Sequence, residues 1–183
     1  FLTGEKRAEY TIASTTQLLD AKQKIWSEPI LKALGIPKNI LPQIVPSGTS
    51  IGCLTEEICL ELGLEPADVI AVAGHDTQSA VVAVPTQEKD FIFISCGTWS
   101  LFGTELEAPI IGEKSLECNV SNEGGYGNTT TLLKNIIGLW LVQESRRQWI
   151  REGREYSYGE LEQMALQAQP FVSFIDPDAP EFV

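Results

Sequence analysis

The chain reads as an α/β protein, and two runs of apolar residues predict that class. The first is Val69-Ile70-Ala71-Val72-Ala73, rich in valine and closed by Gly74. Such a run has the pattern of a strand buried on both faces. The second is Phe91-Ile92-Phe93-Ile94-Ser95, closed by Cys96-Gly97-Thr98-Trp99-Ser100. Segments with helical start and stop signals precede and follow both runs. In α/β proteins ligands sit beyond the carboxyl ends of such strands. Asp76 would stand there after the first run, and a Gly97-Thr98 turn after the second. A carboxylate beside a loop able to hold phosphate points to phosphoryl transfer.

The elements follow in order. Residues 1–10 are polar and ambiguous, and Phe1 opens what reads as the middle of an element, as in a fragment. Ser14-Thr15-Thr16 predicts a helix start, with Leu18, Leu19 and Ile25 on one face. Trp26 through Leu34 reads as a second helix, with Pro29 early in it and Gly35 as its stop. Pro37, Pro42 and Pro46 then punctuate an extended connection. Thr55, followed by Glu56-Glu57, predicts the start of a helix that runs to Leu62 and stops at Gly63. A strand over 69–73 and a helix over 77–84 follow, closed by Pro85.

Beyond Pro85 the pattern changes to a meander. Strands are predicted at Phe91–Ser95, Trp99–Glu105 and Leu116–Asn119, with turns at Gly97 and near Gly112. Gly124, Gly125 and Gly127 form a loop, not a Walker motif since no Gly-Lys-Thr follows. That loop is expected to feed a long helix from Thr130 to about Ile150. Trp99, Trp140 and Trp149 read as core. Tyr158 to Gln169 is predicted helical, ending at Pro170, and the tail with Pro177 and Pro180 as irregular. No internal repeat is present.

Composition bounds the function. A length of 183 residues suits one ordinary domain or two small ones, and 43% apolar residues suffice for a core. A net charge of −12 argues against a nucleic-acid partner. Arg146, Arg147, Arg151 and Arg154 read as a solvated helix face. No apolar run approaches the roughly 20 residues that span a bilayer. The four cysteines, Cys53, Cys59, Cys96 and Cys118, lack metal-site spacing, and one histidine leaves little to complete a zinc site. They read as free, partly buried thiols in a reducing compartment, hence a cytoplasmic enzyme. A Cys53–Cys59 bridge and a nucleophilic Cys96 are the alternatives.

Several side chains have both a structural and a chemical reading. Asp76 suits a helix N-cap, and a helix N-terminus also keeps a carboxylate ionised and able to accept a proton. His75 could bond neighbouring backbone; with Thr77 it could also serve a polyol, since each donates and accepts. Thr98 suits a hairpin turn, or a phosphate contact beside a glycine that allows close approach. Asn135 and Gln143, just over two helical turns apart, would share one side of the long helix. They would be either an exposed edge or a polar pair needing partners.

These segments resemble a known family. AVAGHDTQSAVVAVP, FISCGTWSLFGTE and VSNEGGYGNTTTLLKNIIGLWLVQESRRQW are similar to stretches of the rhamnulokinases of the FGGY carbohydrate-kinase family. So is the upstream stretch ASTTQLLDAKQKIWSEPILKALGIPKNILPQIVPSGTSIGCLTEEICLELGL. The likeness covers nearly all of this chain but only the middle of a family member. It implies two actin-like ATPase lobes with ribonuclease-H-like cores. Residues 1–85 would end the first, sugar-binding lobe, and 86–183 would begin the second, nucleotide-binding lobe. It implies Asp76 as catalytic base. His75, Asp76, Thr77 and Asn135 would contact the sugar, and Gly97, Thr98 and Gln143 would contact ATP. The implied substrates are ATP and L-rhamnulose, with Mg²⁺ held mainly through the nucleotide phosphates and no protein metal ligands. Another ketose such as L-fuculose or xylulose, or a non-catalytic actin-like sugar-binding regulator, is the alternative. The first-lobe Gly-Thr phosphate hairpin and the later glycine-rich adenosine segment of the family are not recognisable here. The oligomeric state has no signal in the sequence.

Overall fold

A computed structural model describes residues 1–88, 90–176 and 179; the expected irregular tail at Pro177 and Pro180 lies outside the described residues. The first elements form around one glutamate. Strand β1 (Arg7–Glu9) runs into helix α1 (Tyr10–Ser14), and the Glu9 carboxylate caps that helix by accepting from the Thr11 and Ile12 N–H groups. The helix expected to start at Ser14 instead ends there. The hydroxyls of Ser14, Thr15 and Thr16 donate back to the carbonyls of Thr11, Ile12 and Ala13. Such back-bonding competes with helix continuation, and Gln17 then takes a positive φ of 61°.

A short hairpin follows, β2 (Leu19–Asp20) with β3 (Ile25–Trp26). Helix α2 (Glu28–Leu34) has Pro29 in its first turn and Gly35 at its left-handed stop, as the sequence predicts. After a 3₁₀ turn at Lys38–Ile40, β4 (Gln43–Val45) pairs in parallel with β1. Strand β5 (Ser50–Cys53) pairs antiparallel with β6 (Asp68–Ile70). Between them lies α3 (Glu56–Leu62), capped by the Thr55 hydroxyl and stopped by Gly63.

The run at 69–73 is thus a strand only as far as Ile70, and it is not buried on both faces. Ile70 is 48% and Val72 69% exposed, while Ala73 is buried. Full burial needs layers packed over both faces, and the exposure of Ile70 and Val72 shows that this two-stranded sheet of β5 and β6 lacks them. Residues 71–75 lead instead into helix α4 (Asp76–Val82).

The later elements are β7 (Phe93–Cys96), β8 (Ser100–Leu106), α5 (Glu113–Glu117), β9 (Ser121–Gly124), β10 (Thr130–Ile136), α6 (Trp140–Arg151) and α7 (Tyr158–Gln167). The strands form one sheet in the order β7-β8-β10-β9. Three expectations fail here. The long helix from Thr130 is a strand followed by a helix. Thr129, Thr130 and Thr131 favour extended backbone, and β10 pairs antiparallel with β9, Thr130 opposite Gly124 and Leu133 opposite Ser121. The expected strand at Leu116–Asn119 is instead the end of α5 and the turn after it, and the start of that helix is fixed by the Gly112 N–H donating to Ser115 Oγ. The glycine loop therefore turns one strand into the next rather than feeding a helix.

The chain divides into two compact units, Phe1–Phe93 with Gly103–Lys134, and Ile94–Phe102 with Asn135–Val183. In the first, Tyr10, Ala13, Leu31, Val45, Ile58, Ala73, Val81, Phe93 and Leu133 are the buried apolar residues. Gly124 packs so closely on Tyr10 that a Cβ there would lie 2.9 Å from the ring. Its N–H also donates to Ser14 Oγ at 2.8 Å, so β9 is fixed against α1. In the second unit Trp149 meets Tyr156 edge to face, and Arg146 Nε donates to the Tyr156 carbonyl. The tryptophans expected in the core are not buried: Trp99 is 65% and Trp140 37% exposed. The four cysteines are free, and Cys53, Cys96 and Cys118 are exposed rather than partly buried. No helix among the described residues is long and apolar enough to cross a membrane.

Candidate functional site

Each unit holds one cluster of the side chains singled out in the sequence. In the first unit, α4 begins at Asp76, with His75 rather than Asp76 in the N-cap position. Asp76 thus lies in the first turn of the helix. Its Oδ1 accepts from the Thr77 N–H at 2.7 Å, and the side chain is otherwise fully exposed. Thr77 is buried.

The His75 imidazole lies between two carboxylates. Nδ1 is 3.8 Å from Asp76 Oδ1, and Nε2 is 3.5 Å from Glu123 Oε2 on β9. Both His75 and Glu123 are largely buried, with side-chain exposures of 18% and 17%. Among the described residues, His75 Nδ1 and Glu123 Oε2 have no hydrogen-bond partner. An exposed acid therefore stands beside a largely buried imidazole and carboxylate whose unpartnered atoms are closed to solvent, so Asp76 is the group of the three that a hydroxyl-bearing ligand can reach directly.

A polar network supports this corner. Glu9 Oε2 accepts from the Thr11 N–H and hydroxyl, the Ile12 N–H and the Gly74 N–H at 2.6–3.2 Å. Glu9 Oε1 accepts from Ser47 Oγ at 2.6 Å. The His75 N–H donates to Thr11 Oγ1 at 3.0 Å. Burial alone would raise the Glu9 pKa, but the hydrogen bonds from Ser47, Thr11 and Gly74 outweigh it and hold the carboxyl below its usual value. Deeper in the unit, the Thr131 hydroxyl meets both Gln78 and Glu105.

The second unit holds the glycine-threonine turn. The Gly97 N–H donates to the Trp99 carbonyl at 2.9 Å, closing the connection from β7 to β8. The start of α6 docks on this turn, since the Leu139 N–H donates to Gly97 O and the Trp140 N–H to Thr98 O. Gly138 makes the approach possible, with a φ of +66° and no room for a Cβ, which would lie 2.4 Å from Ser100 Oγ. Gln143 Nε2 reaches Thr98 Oγ1 at 3.4 Å, at the long end for a hydrogen bond.

Thr98 and Gln143, far apart in sequence, are thus brought together beside a helix N-terminus, a place that favours anions. Asn135 is not on that helix. It is exposed at the end of β10, because the backbone is extended there and turns only at Gly138. The expectation that one helix carries both Asn135 and Gln143 is corrected accordingly. Glu9, Thr11 and Glu123 were not singled out in the sequence. Glu9 lies in a stretch with no periodicity, and only an acid placed before a helical turn hints at its capping role.

Comparison with known proteins gives the context. The profile described as "FGGY family of carbohydrate kinases, N-terminal domain" matches residues 1–83, and that of the C-terminal domain matches residues 92–183. The chain is 46% identical to a rhamnulokinase of Bacteroides thetaiotaomicron over 97% of its own length and 36% of that protein's. It is 40% identical to one of Enterococcus faecalis over 99% of this chain and 36% of the relative. The chain therefore spans about a third of the length of these relatives. Among solved structures it resembles a ligand-bound xylulose kinase from Lactobacillus acidophilus, with TM-score 0.72, 22% identity, and 92% of this chain against 33% of that one. It also resembles Plasmodium falciparum glycerol kinase with ADP, with TM-score 0.73, 17% identity, and 90% against 32%. These likenesses show the fold, the actin-like α/β architecture that the sequence resemblance implied.

Proposed function

The chain belongs to the FGGY family of carbohydrate kinases, and on that premise we propose that it is the central part of an enzyme phosphorylating a ketose with ATP. L-Rhamnulose, giving the 1-phosphate and ADP, is the substrate that the names of its relatives favour. The observation that carries the reading is the exposed Asp76 carboxylate at the first turn of α4, beside the imidazole of His75.

In this reading the sugar hydroxyl lies against Asp76. Its oxygen attacks the γ-phosphorus as the bond to the ADP oxygen breaks, and its proton passes to Asp76. Phosphoryl transfer has a loose transition state, so the acid mainly orients the hydroxyl and takes the proton late. His75, Thr77 and Asn135 bind other sugar hydroxyls. Gly97 and Thr98 receive a phosphate at the turn on which α6 docks, and Gln143 holds the Thr98 side. The described residues contain no group of three or more His, Cys, Asp or Glu able to hold a metal. A Mg²⁺ carried by the nucleotide phosphates would, when bound, neutralise their charge. Residues 1–85 then belong to the sugar-binding lobe and 86–183 to the nucleotide-binding lobe.

The test is ATP-dependent phosphorylation by the complete reading frame that carries this segment, offered L-rhamnulose, L-fuculose and D-xylulose in parallel. Rhamnulose should be preferred. Asp76→Asn should lower kcat by about 10²–10⁴-fold, the typical loss on removing a positioned base, with sugar affinity largely kept. Preference for another ketose would reassign the substrate. Absence of transfer to any sugar would favour the non-catalytic regulator, and near-normal turnover by a folded Asn variant would remove Asp76 from the role of base.

A further inference from the structure

Resting on the kinase reading, we infer that Glu9 and Thr11 act as positioning residues, a clamp that fixes the Gly74–His75 backbone and so aims Asp76 at the reacting hydroxyl. The Asp76 side chain has little support of its own. Among the described residues it meets only the N–H of the next residue and an imidazole nitrogen at 3.8 Å. Its direction is therefore set by the backbone that precedes it.

That backbone is held from the junction of β1 and α1. The Gly74 N–H donates to Glu9 Oε2 at 2.9 Å and the His75 N–H to Thr11 Oγ1 at 3.0 Å, two successive amides held by two side chains more than sixty positions away. Thr11 is fully buried and its hydroxyl works in both directions, donating to Glu9 at 2.6 Å while accepting from the His75 N–H. A helix cap alone needs neither contact, since the Thr11 and Ile12 amides already satisfy that role. The Glu9 carboxylate is in turn fixed by Ser47 from the turn before β5. On the other side of the loop Ser79 Oγ donates to the Ala73 carbonyl at 2.6 Å. Gly74 leaves no slack, because a Cβ there would lie 3.2 Å from Glu9 Oε2. A reacting group held this way loses rate when its supporting hydrogen bonds go, even where the fold survives.

The experiment uses the complete reading frame with Thr11→Val, which keeps the shape and removes the hydroxyl, and Thr11→Ser, which keeps the hydroxyl. Thr11→Val should lower kcat by about 10–100-fold while the KM for ATP stays within about twofold. Thr11→Ser should restore most of the rate. Amide exchange at His75 should accelerate in the Val variant and not in the Ser variant. Ser47→Ala, a change on a surface turn, should lower kcat by a smaller factor of about 3–10 and serves if Thr11→Val does not fold. Wild-type kcat in folded Thr11→Val or Ser47→Ala would overturn the inference, as would equal losses in the Val and Ser variants, which would indicate packing alone. A wild-type protein that phosphorylates no ketose would instead overturn the kinase reading on which the clamp depends.

Discussion

Asp76 and Glu9 are two carboxylates of one unit in opposite surroundings. Asp76 is exposed and barely bonded, so it is free to meet a ligand; Glu9 is buried and surrounded by donors, so it can only hold structure. The difference has a pH signature. Because the folded Glu9 pKa lies below its ordinary 4.5, the ionised form stabilises the fold. That contribution is complete above the ordinary value and is lost as pH falls through the folded one. The stability gap between the wild-type chain and Glu9→Gln should therefore be constant near neutrality and shrink below about pH 4.5, as read from denaturant midpoints. A gap that grew on acidification would contradict the assigned sign. Thr98 belongs to the same scale. The residue is exposed, and among the described residues its hydroxyl meets only the long contact from Gln143. Thr98→Val in the complete reading frame should thus raise the KM for ATP by about 10-fold, a charge-assisted hydrogen bond's worth, and leave sugar affinity unchanged. Separate titrations of sugar and nucleotide check this, and a defect confined to the sugar would move Thr98 to the other ligand.

Among the elements, the turn on which α6 docks depends on Gly138. An alanine there would need both a left-handed backbone and space occupied by Ser100. Gly138→Ala should cost at least about 1–3 kcal/mol, the usual penalty for a strained backbone, with ATP binding weakened because the Gly97-Thr98 turn loses its seat. Thermal unfolding and nucleotide titration of one preparation would check both; an unperturbed variant would remove Gly138 from this role. The elements also show what the sequence made legible. Starts and stops set by local chemistry were readable: Thr55 and Gly63 around α3, Pro29 and Gly35 in α2, and the start of α7 after Ser157. Those set by partners distant in sequence were not. Leu132, Leu133 and Ile136 fit helical spacing, yet pairing with β9 makes that stretch a strand. Ser14-Thr15-Thr16 has the composition of a helix start, yet Glu9 had already started α1 and the hydroxyls ended it. The site divides the same way. Asp76 and Thr98 follow apolar runs, so a local rule is enough to propose them. Glu9, Thr11 and Glu123 matter only through contacts across the fold, which no local pattern encodes.

For the molecule as a whole, the surface makes the last argument. Leu60 is 76%, Val72 69%, Ile92 68% and Ile94 58% exposed, and they lie in or beside strands and helices rather than in a loose tail. Apolar surface on regular elements is normally covered, and the chain spans only about a third of the length of its relatives. Phosphoryl transfer also needs groups on the nucleotide and the sugar held in line by both lobes. The phosphate hairpin and the adenosine segment that the family resemblance implies are not recognisable in these 183 residues. The 183 residues alone should therefore bind ATP poorly, phosphorylate no ketose, and associate through their apolar faces. Light scattering and a coupled ADP-release assay on the purified chain, beside the complete reading frame, would measure both properties. Transfer to rhamnulose by the chain alone at a rate near that of the complete protein would mean that Asp76, Thr98 and Gln143 form a sufficient catalytic apparatus, and the two-lobe reading would fall.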